Sequence, residues 1–446
     1  MDGFRITGGK RLNGRIRVDG SKNAALPQIA AALMAKGPVQ LRNLPRLSDI
    51  DNMVRLMKEL GCHVEHDGSD LRLDTPDDGS WHARYDIVKT MRASICVLGP
   101  LLARYGQARV AMPGGCAIGD RPVDLHLRGL EALGAKIELD GGDIVARADR
   151  LKGGTIFLGG PFGSTVLGTA NVMCAATRAE GVTIIESAAC EPEIQDLAVM
   201  LNSMGASISG AGTPRITIRG CTELYGCDHQ VMPDRIVAAT LAIASAITNG
   251  DVTIEDFPMD HLLAVVDRLQ ATGVRLERLD PLEPAGRCTI KVTSERRLKP
   301  ALFTTQPYPG FPTDIQAQMM TLLCFADGNS IVTEKIFPDR FLHVSELTRM
   351  GALVYRQGGT VVVQGVNRLV GAPVMASDLR GSASLVLAGL AAEGTTTISR
   401  IYHLDRGYSR LEDQLNELGA DIERFDEDSE TTSSTTTDCS TGSQVG

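Results

Sequence analysis

Two kinds of apolar pattern alternate along the chain. In the first, apolar residues recur at i, i+3, i+4 and i+7, as in Met53, Leu56, Met57 and Leu60, with charged residues between them. That spacing predicts amphipathic helices with one face in solvent. Each such run ends at a glycine (Gly61, Gly134, Gly205, Gly273, Gly351 and Gly419), at intervals of about 70 residues, and glycine is the expected C-terminal cap. In the second kind, small and apolar residues fill nearly every position, as in Ala30–Leu33 and Leu241–Ala246. These runs end at Gly37, Gly106, Gly181, Gly250, Gly328 and Gly394. A helix that is apolar all round is packed closely on all sides. Short strands follow the glycines, for example Val182–Glu186 and Ser330–Glu334.

The two patterns interleave into six repeats of one strand/helix unit of about 70 residues. Each unit opens on strand-rich sequence, at 4–19, 70–88, 142–160, 214–231, 287–307 and 359–375. Six units make an α/β protein of two domains with three units each. A tandem solenoid is the alternative, but its stack gives a buried helix neighbours on too few sides. After Gly419 only Ala420–Phe425 precedes a polar tail. The last unit therefore needs strands from elsewhere, and either 1–20 or 214–231 could supply them.

Composition narrows the class. The 446 residues are 43% apolar and 22% charged, as in ordinary globular proteins. No run of about 18 apolar residues occurs, so no membrane span is expected, and the N-terminus lacks the pattern of a secretory leader, which favours the cytoplasm. The net charge of −9 owes much to the tail 427–446, which is acidic, Ser/Thr-rich and expected to be disordered. No basic run or aromatic-rich basic patch suggests nucleic acid. The ten cysteines form no Cys-x-x-Cys pair and no zinc-like spacing, so neither metal nor cofactor is expected.

Candidate chemistry lies where charge meets helix starts. The small-residue helices open at Ser21-Lys22-Asn23, Lys89-Thr90-Met91-Arg92, Ser164-Thr165, Pro233-Asp234-Arg235, Pro312-Thr313-Asp314 and Ser377-Asp378-Leu379-Arg380. Ser, Thr and Asp there are ordinary caps. Lys22, Arg92 and Arg380 are disfavoured by the helix dipole, so they point either to a bound anion or to plain ion pairs. Asp120-Arg121, Asp339-Arg340 and Asp405-Arg406 recur before the amphipathic helices. They read either as local ion pairs or as cations gathered for a polyanionic ligand. The loop 111–125 holds a thiol, Cys116, among glycines and prolines beside Arg121, a setting for a reactive cysteine. Its Gly106-to-Gly134 interval exceeds the five equivalent ones, so it reads as a lid added over a cleft.

Several segments resemble the enolpyruvyl transferases, in particular those acting on UDP-N-acetylglucosamine. They are Gly20-Ser-Lys-Asn-Ala-Ala-Leu-Pro27, Lys89-Thr-Met-Arg-Ala-Ser94, Pro113-Gly-Gly-Cys-Ala-Ile-Gly119 with Arg121-Pro-Val-Asp-Leu-His126, Phe311-Pro-Thr-Asp-Ile-Gln-Ala-Gln318 and His403-Leu-Asp-Arg-Gly-Tyr408. The resemblance covers about residues 1–425. It implies a two-domain inside-out α/β barrel, with 22–231 as the domain carrying the Cys loop and 1–21 plus 232–426 as the other. It implies transfer of enolpyruvyl from phosphoenolpyruvate to the 3′-hydroxyl of UDP-N-acetylglucosamine, with release of phosphate, the first committed step of peptidoglycan synthesis. By the same resemblance, Cys116, Asp314, Lys22 and Arg406 are catalytic, and Cys116 can form a covalent adduct with phosphoenolpyruvate. Lys22, Asn23, Arg121 and Arg406 contact phosphoenolpyruvate. Arg92, Arg121, Pro122, Val123, Asp124, Leu125, Ser164, Thr165, Asp314 and the backbone at Ile336 contact the UDP-sugar. Asp378 and Arg380 are further active-site residues.

Two positions depart from that pattern. Residues 160–166 lack the Lys often found there, and Ser48 stands where some members carry Lys. The partners expected are these two small molecules, with no nucleic acid or membrane, and a monomer or weak oligomer. A 3-phosphoshikimate 1-carboxyvinyltransferase and a weakly active UDP-sugar-binding paralogue are the alternatives. The loop thiol argues against the first, and only the change at 160–166 favours the second.

Overall fold

The computed structural model describes residues 2–113, 123–161, 163–281, 287–295 and 297–426. It is a mixed α/β structure whose apolar interior divides in two. One core draws on residues from Ala24 to Met232, and the other on Phe4 to Val18 and Ile236 to Ile422. At the centre of the first, helices Lys22–Ala31 and Leu98–Tyr105 both pack on Val166–Ala176. In the second, Arg235–Ile247, Gln316–Leu323 and Leu379–Ala391 pack on one another. Arg235–Ile247 and Gln316–Leu323 are buried along their whole length.

Small residues permit this approach. A Cβ on Gly99 would lie 2.2 Å from the Asn171 carbonyl oxygen. The Asn171 side chain uses the closeness: Oδ1 accepts from the Gly99 N–H at 2.8 Å and Nδ2 donates to the Ile95 carbonyl at 2.9 Å. Such paired groups satisfy polar atoms that would otherwise be stranded in a dry core.

Among the described residues, six four-stranded sheets, all open, make the outer layer, beside a two-stranded pair of Ala35–Lys36 with Leu224–Tyr225. Each four-stranded sheet has one plan. An edge strand runs parallel to the strand that follows a buried helix, and two antiparallel strands complete the sheet. Thr155–Phe157, Val182–Glu186, Arg215–Arg219 and Ser207–Ser209 show that order. Amphipathic helices such as Ser48–Glu59 and Pro192–Ser203 cover the cores. All six glycines that end them are left-handed, with φ between 94° (Gly419) and 106° (Gly205), as a helix C-cap requires. Of the second set of glycines, Gly250 departs: Asn249 takes the positive φ of 51° instead. Gly250 is needed for closeness, since a Cβ there would meet the Leu12 carbonyl oxygen at 2.4 Å.

The pairing of distant segments answers what the sequence left open. Asp2–Thr7 lies between Thr395–Ser399 and Ile422–Asp426 and so completes the last unit's sheet. Asn13–Arg17 is the edge strand beside Asp251–Phe257, while Asp228–Gln230 is the edge strand beside Val39–Arg42. The chain thus passes between the cores twice, near 18–24 and 232–236, and the two passages touch. Gly20 pairs with Pro233, the Ser21 N–H donates to the Met232 carbonyl at 2.7 Å, and the Asp234 N–H to the Asp19 carbonyl at 2.8 Å. Only glycine fits at Gly20, where a Cβ would stand 1.7 Å from the Asn43 carbonyl oxygen.

Candidate active site

The double passage sets Lys22 in place. Its helix is capped by Ser21, whose hydroxyl accepts from the Ala24 N–H at 3.3 Å. Asp234 caps Arg235–Ile247 with Oδ1, while its Oδ2 accepts from the Lys22 N–H at 3.2 Å. One buried carboxylate therefore ties the first turns of two central helices, one from each core. Burial pushes the Asp234 carboxyl up, against the opposing pull of Arg380.

From that start the Lys22 ammonium reaches Asp49 Oδ2 at 2.7 Å, and Arg406 Nε meets Asp49 Oδ1 at 3.1 Å. The Asp49 side chain is 2% exposed, Lys22 10% and Arg406 36%. Burial, together with the charges of Arg380 and Arg406, holds Lys22 below the ordinary lysine value, and Asp49 offsets part of that. Two cations share one hidden carboxylate, an arrangement with positive charge left over for an anion.

A second cluster surrounds Asp314, in the 3-10 turn Thr313–Ile315. Its Oδ1 accepts from Arg340 Nη1 at 2.7 Å, and its Oδ2 from Arg380 Nη2 at 3.2 Å. Arg340 and Arg380 are 6% and 3% exposed, and Asp314 26%. The Arg380 guanidinium stacks 5.3 Å from the Tyr408 ring. Tyr408 Oη lies 3.0 Å from Thr240 Oγ1 and accepts from Gln318 Nε2 at 3.1 Å. Arg380 Nη1 is buried without a hydrogen-bond partner among the described residues.

The two described Asp-Arg dipeptides, Asp339-Arg340 and Asp405-Arg406, are not local pairs. Asp339 bonds Arg356 at 2.8 Å while Arg340 turns to Asp314, and Asp405 bonds Arg424 at 2.8 Å while Arg406 turns to Asp49. In both, the acid is tied to another arginine and the dipeptide's own arginine reaches a carboxylate of one of the two clusters.

The remaining sequence candidates divide. Asn23 is half-buried in the first turn of Lys22–Ala31. Arg92 opens a 3-10 turn, Arg92–Val97, rather than the α-helix expected, and its charge adds to the burial that holds His126 down to about 3. Val123 is buried, and Asp124 opens the helix Asp124–Ala132. Leu125 packs toward Gly160, where a Cβ would meet Leu125 Cδ1 at 3.1 Å. Thr165 is a plain cap, accepting from the Gly168 N–H at 3.2 Å, and Ser164 precedes it. Asp378 is also a cap, for Arg380 N and Gly381 N at 3.0 Å. The Ile336 N–H is taken by Glu334 Oε1 at 2.8 Å. At Ser48, the N–H and the hydroxyl both reach the Asp405 carbonyl at 3.4 Å. Cys116, Arg121 and Pro122 lie outside the described residues, as does most of the loop 111–125. The eight described cysteines are all pushed up by burial, Cys96 and Cys324 to about 12.

Sequence reading missed Asp49, Glu334 and the ion pair of Arg235 with Glu193, at 2.9 Å, which joins the two halves. The hint for Asp49 was its place in the Leu47-Ser48-Asp49 segment, already singled out for its neighbour.

A family model described as EPSP synthase (3-phosphoshikimate 1-carboxyvinyltransferase) matches residues 6–415. The chain belongs to that family. Within the EPSP synthase family, it is similar to proteins named UDP-N-acetylglucosamine 1-carboxyvinyltransferase. The one from Geobacter metallireducens is 52% identical over 96% of this chain and 100% of its own length. The one from Methylacidiphilum infernorum is 49% identical over 95% and 99%. Among solved structures, the enolpyruvyl transferase NikO from Streptomyces tendae superposes with a TM-score of 0.85 at 25% identity, covering 95% of this chain and 98% of its own. An EPSP synthase from Acinetobacter baumannii gives 0.75 at 20% identity over 96% and 100%, a likeness of fold. Among the described residues no helix is long and apolar enough to cross a membrane.

Proposed function

We propose that this chain transfers the enolpyruvyl group of phosphoenolpyruvate to the 3′-hydroxyl of UDP-N-acetylglucosamine, with release of phosphate, in peptidoglycan synthesis. The observation that carries the reading is the near-full-length identity, about one half, to relatives of that name. The two charge clusters support it. Asp49 holds Lys22 and Arg406 with charge to spare for the phosphate and carboxylate of phosphoenolpyruvate. Asp314 is a half-open carboxylate oriented by two buried guanidiniums, suited to receive a hydroxyl.

The chemistry is addition followed by elimination. C3 of phosphoenolpyruvate takes a proton, C2 becomes electrophilic, and the sugar 3′-oxygen bonds to C2 while its proton passes to a base. The tetrahedral ketal then loses a proton from C3, the bond from C2 to the phosphate oxygen breaks, and phosphate leaves. In this reading Asp314 orients the hydroxyl and takes its proton, Lys22 and Arg406 balance negative charge on phosphoenolpyruvate, and Asn23 touches the same substrate. Cys116 supplies the proton, and Arg121 is its neighbouring cation. The eight described thiols are buried or half-buried, and burial pushes each of them up, which supports a role for the loop thiol. Arg92 with Val123, Asp124 and Leu125 forms the UDP-sugar side. Thr165 is spent as a helix cap, so the loss of a Lys at 160–166 falls on Ser164 and Arg121. Asp378 and Arg380 complete the site.

The same reading takes the chain as a two-domain inside-out α/β barrel, 22–231 and 1–21 plus 232–426, working as a cytoplasmic monomer or weak oligomer. The two apolar cores and the common plan of the six sheets support it.

The rival acceptor is shikimate 3-phosphate. It is disfavoured because the EPSP synthase likeness stands at 20% identity, against about one half for the UDP-sugar enzymes. Incubation with phosphoenolpyruvate and UDP-N-acetylglucosamine is expected to release inorganic phosphate. Binding without release would leave a UDP-sugar-binding paralogue, and release only with shikimate 3-phosphate would establish the rival.

A further inference from the structure

Glu334 follows the strand Asn329–Thr333 and is 2% exposed. Its carboxylate accepts four hydrogen bonds. Oε1 takes the Thr305 hydroxyl at 2.7 Å, the Ile336 N–H at 2.8 Å and the Phe337 N–H at 3.0 Å, and Oε2 takes the Thr313 hydroxyl at 2.9 Å. Thr313 has one proton to give. Because Glu334 accepts it, the Thr313 oxygen is free to accept from Arg340 Nη1, at 3.0 Å. The same Nη1 donates to Asp314 Oδ1 at 2.7 Å. The donor directions along Thr313, Arg340 and Asp314 are therefore set by a group that can only accept.

We propose that Glu334 is a positioning residue for the acceptor sugar, fixing Asp314 through Thr313 and Arg340 and fixing the backbone at Ile336 by taking two N–H groups. This rests on the enolpyruvyl-transfer reading, in which Asp314 and Ile336 face the UDP-sugar. Among the described residues, the four hydrogen bonds of Glu334 go to none assigned to phosphoenolpyruvate, so its influence is expected to fall on the sugar nucleotide.

Glu334→Gln separates the two arms. The amide oxygen still accepts from Thr305, Ile336 and Phe337, but the NH2 group faces Thr313, whose proton must turn away and compete with Arg340. Thr313→Val breaks the same arm at the next link. Each variant is expected to lower kcat about 10- to 100-fold and raise the KM for UDP-N-acetylglucosamine, with the KM for phosphoenolpyruvate within about threefold of the parent. The double variant is expected to be no worse than the poorer single, because both act on one chain of contacts. A normal kcat in Glu334→Gln, multiplicative losses in the double variant, or an equal rise in both KM values would overturn the proposal. Should Glu334→Gln fail to fold, Thr313→Val carries the same test. Calorimetric binding of UDP-N-acetylglucosamine gives a readout without turnover. About tenfold weaker binding in either variant supports positioning and unchanged binding overturns it, whereas absent phosphate release by the parent protein overturns only the reaction assigned to it.

Discussion

The Asp49 and Asp314 clusters have the same composition, one carboxylate between two cations, and opposite burial. At Asp49 the acid is hidden, Lys22 is nearly so, and Arg406 is the open partner. At Asp314 the arginines are hidden and the acid is the more open partner. What a cluster offers a ligand is the charge it leaves accessible, and the buried partner orients that charge. The first therefore suits an anion and the second a hydroxyl, although a count of charges would call them equal. Buried pairs of this kind are weak evidence for stability, because desolvation offsets the attraction, so their value here is directional.

Substitutions that alter one cluster at a time break the comparison. The largest effect is expected from Asp314→Ala, with kcat lower by about 10²- to 10⁴-fold, the usual cost of losing a positioned acid or base; steady-state phosphate release measures it. Asp49→Asn comes next. It leaves Lys22 and Arg406 without their counter-charge and is expected to cut kcat/KM for phosphoenolpyruvate by about 10²-fold while sparing the KM for the sugar nucleotide. Equal losses on both substrates would mean that the two clusters are not separate in function.

The third test uses pH. Burial holds Lys22 below the ordinary lysine value of 10.5, so its charge is lost earlier as pH rises. The alkaline limb of kcat/KM for phosphoenolpyruvate is expected at lower pH than a free lysine would give. Lys22→Arg, which stays charged, should move the limb upward, and an unmoved limb would assign it to another group. The smallest effect lies outside both clusters. His126 is held down to about 3 by burial and then Arg92, against 6.5 unfolded. Between those values the unfolded chain binds more protons, so stability falls as pH drops from 6.5 toward 3. Melting temperatures of His126→Gln across that window should slope less steeply than those of the parent.

The sequence made some of this plain. The six glycines from Gly61 to Gly419 marked the helix ends because a left-handed cap needs that residue, a local requirement. The small-residue helices announced their burial for the same reason. The placing of Asn13–Arg17 beside Asp251–Phe257 and of Asp228–Gln230 beside Val39–Arg42 was not legible, because each edge strand pairs with a strand far away in sequence, Asn13 with Asp251 and Asp228 with Gln40, and nothing local encodes it. Lys22 and Arg380 stood out as charges that the helix dipole disfavours, Arg406 stood out through its recurring Asp-Arg pair, and Asp314 came only through the family resemblance. Asp49 and Glu334 escaped, since a buried acid near a helix start or strand end looks like any solvated one until its neighbours are known. The Asp-Arg repeats read equally as local ion pairs or as cations for an anionic ligand, and only the fold shows that Arg340 and Arg406 leave their adjacent acids.

The central claim is that these two opposed clusters serve one transfer between two anionic substrates. The direct measurement is mass spectrometry and NMR of the product formed from phosphoenolpyruvate and UDP-N-acetylglucosamine, alongside a parallel reaction with shikimate 3-phosphate. The account predicts an enolpyruvyl ether at the sugar 3′-oxygen, with one phosphate released per ether, and nothing from shikimate 3-phosphate. An ether formed on shikimate 3-phosphate alone, or no ether from either acceptor, would contradict it.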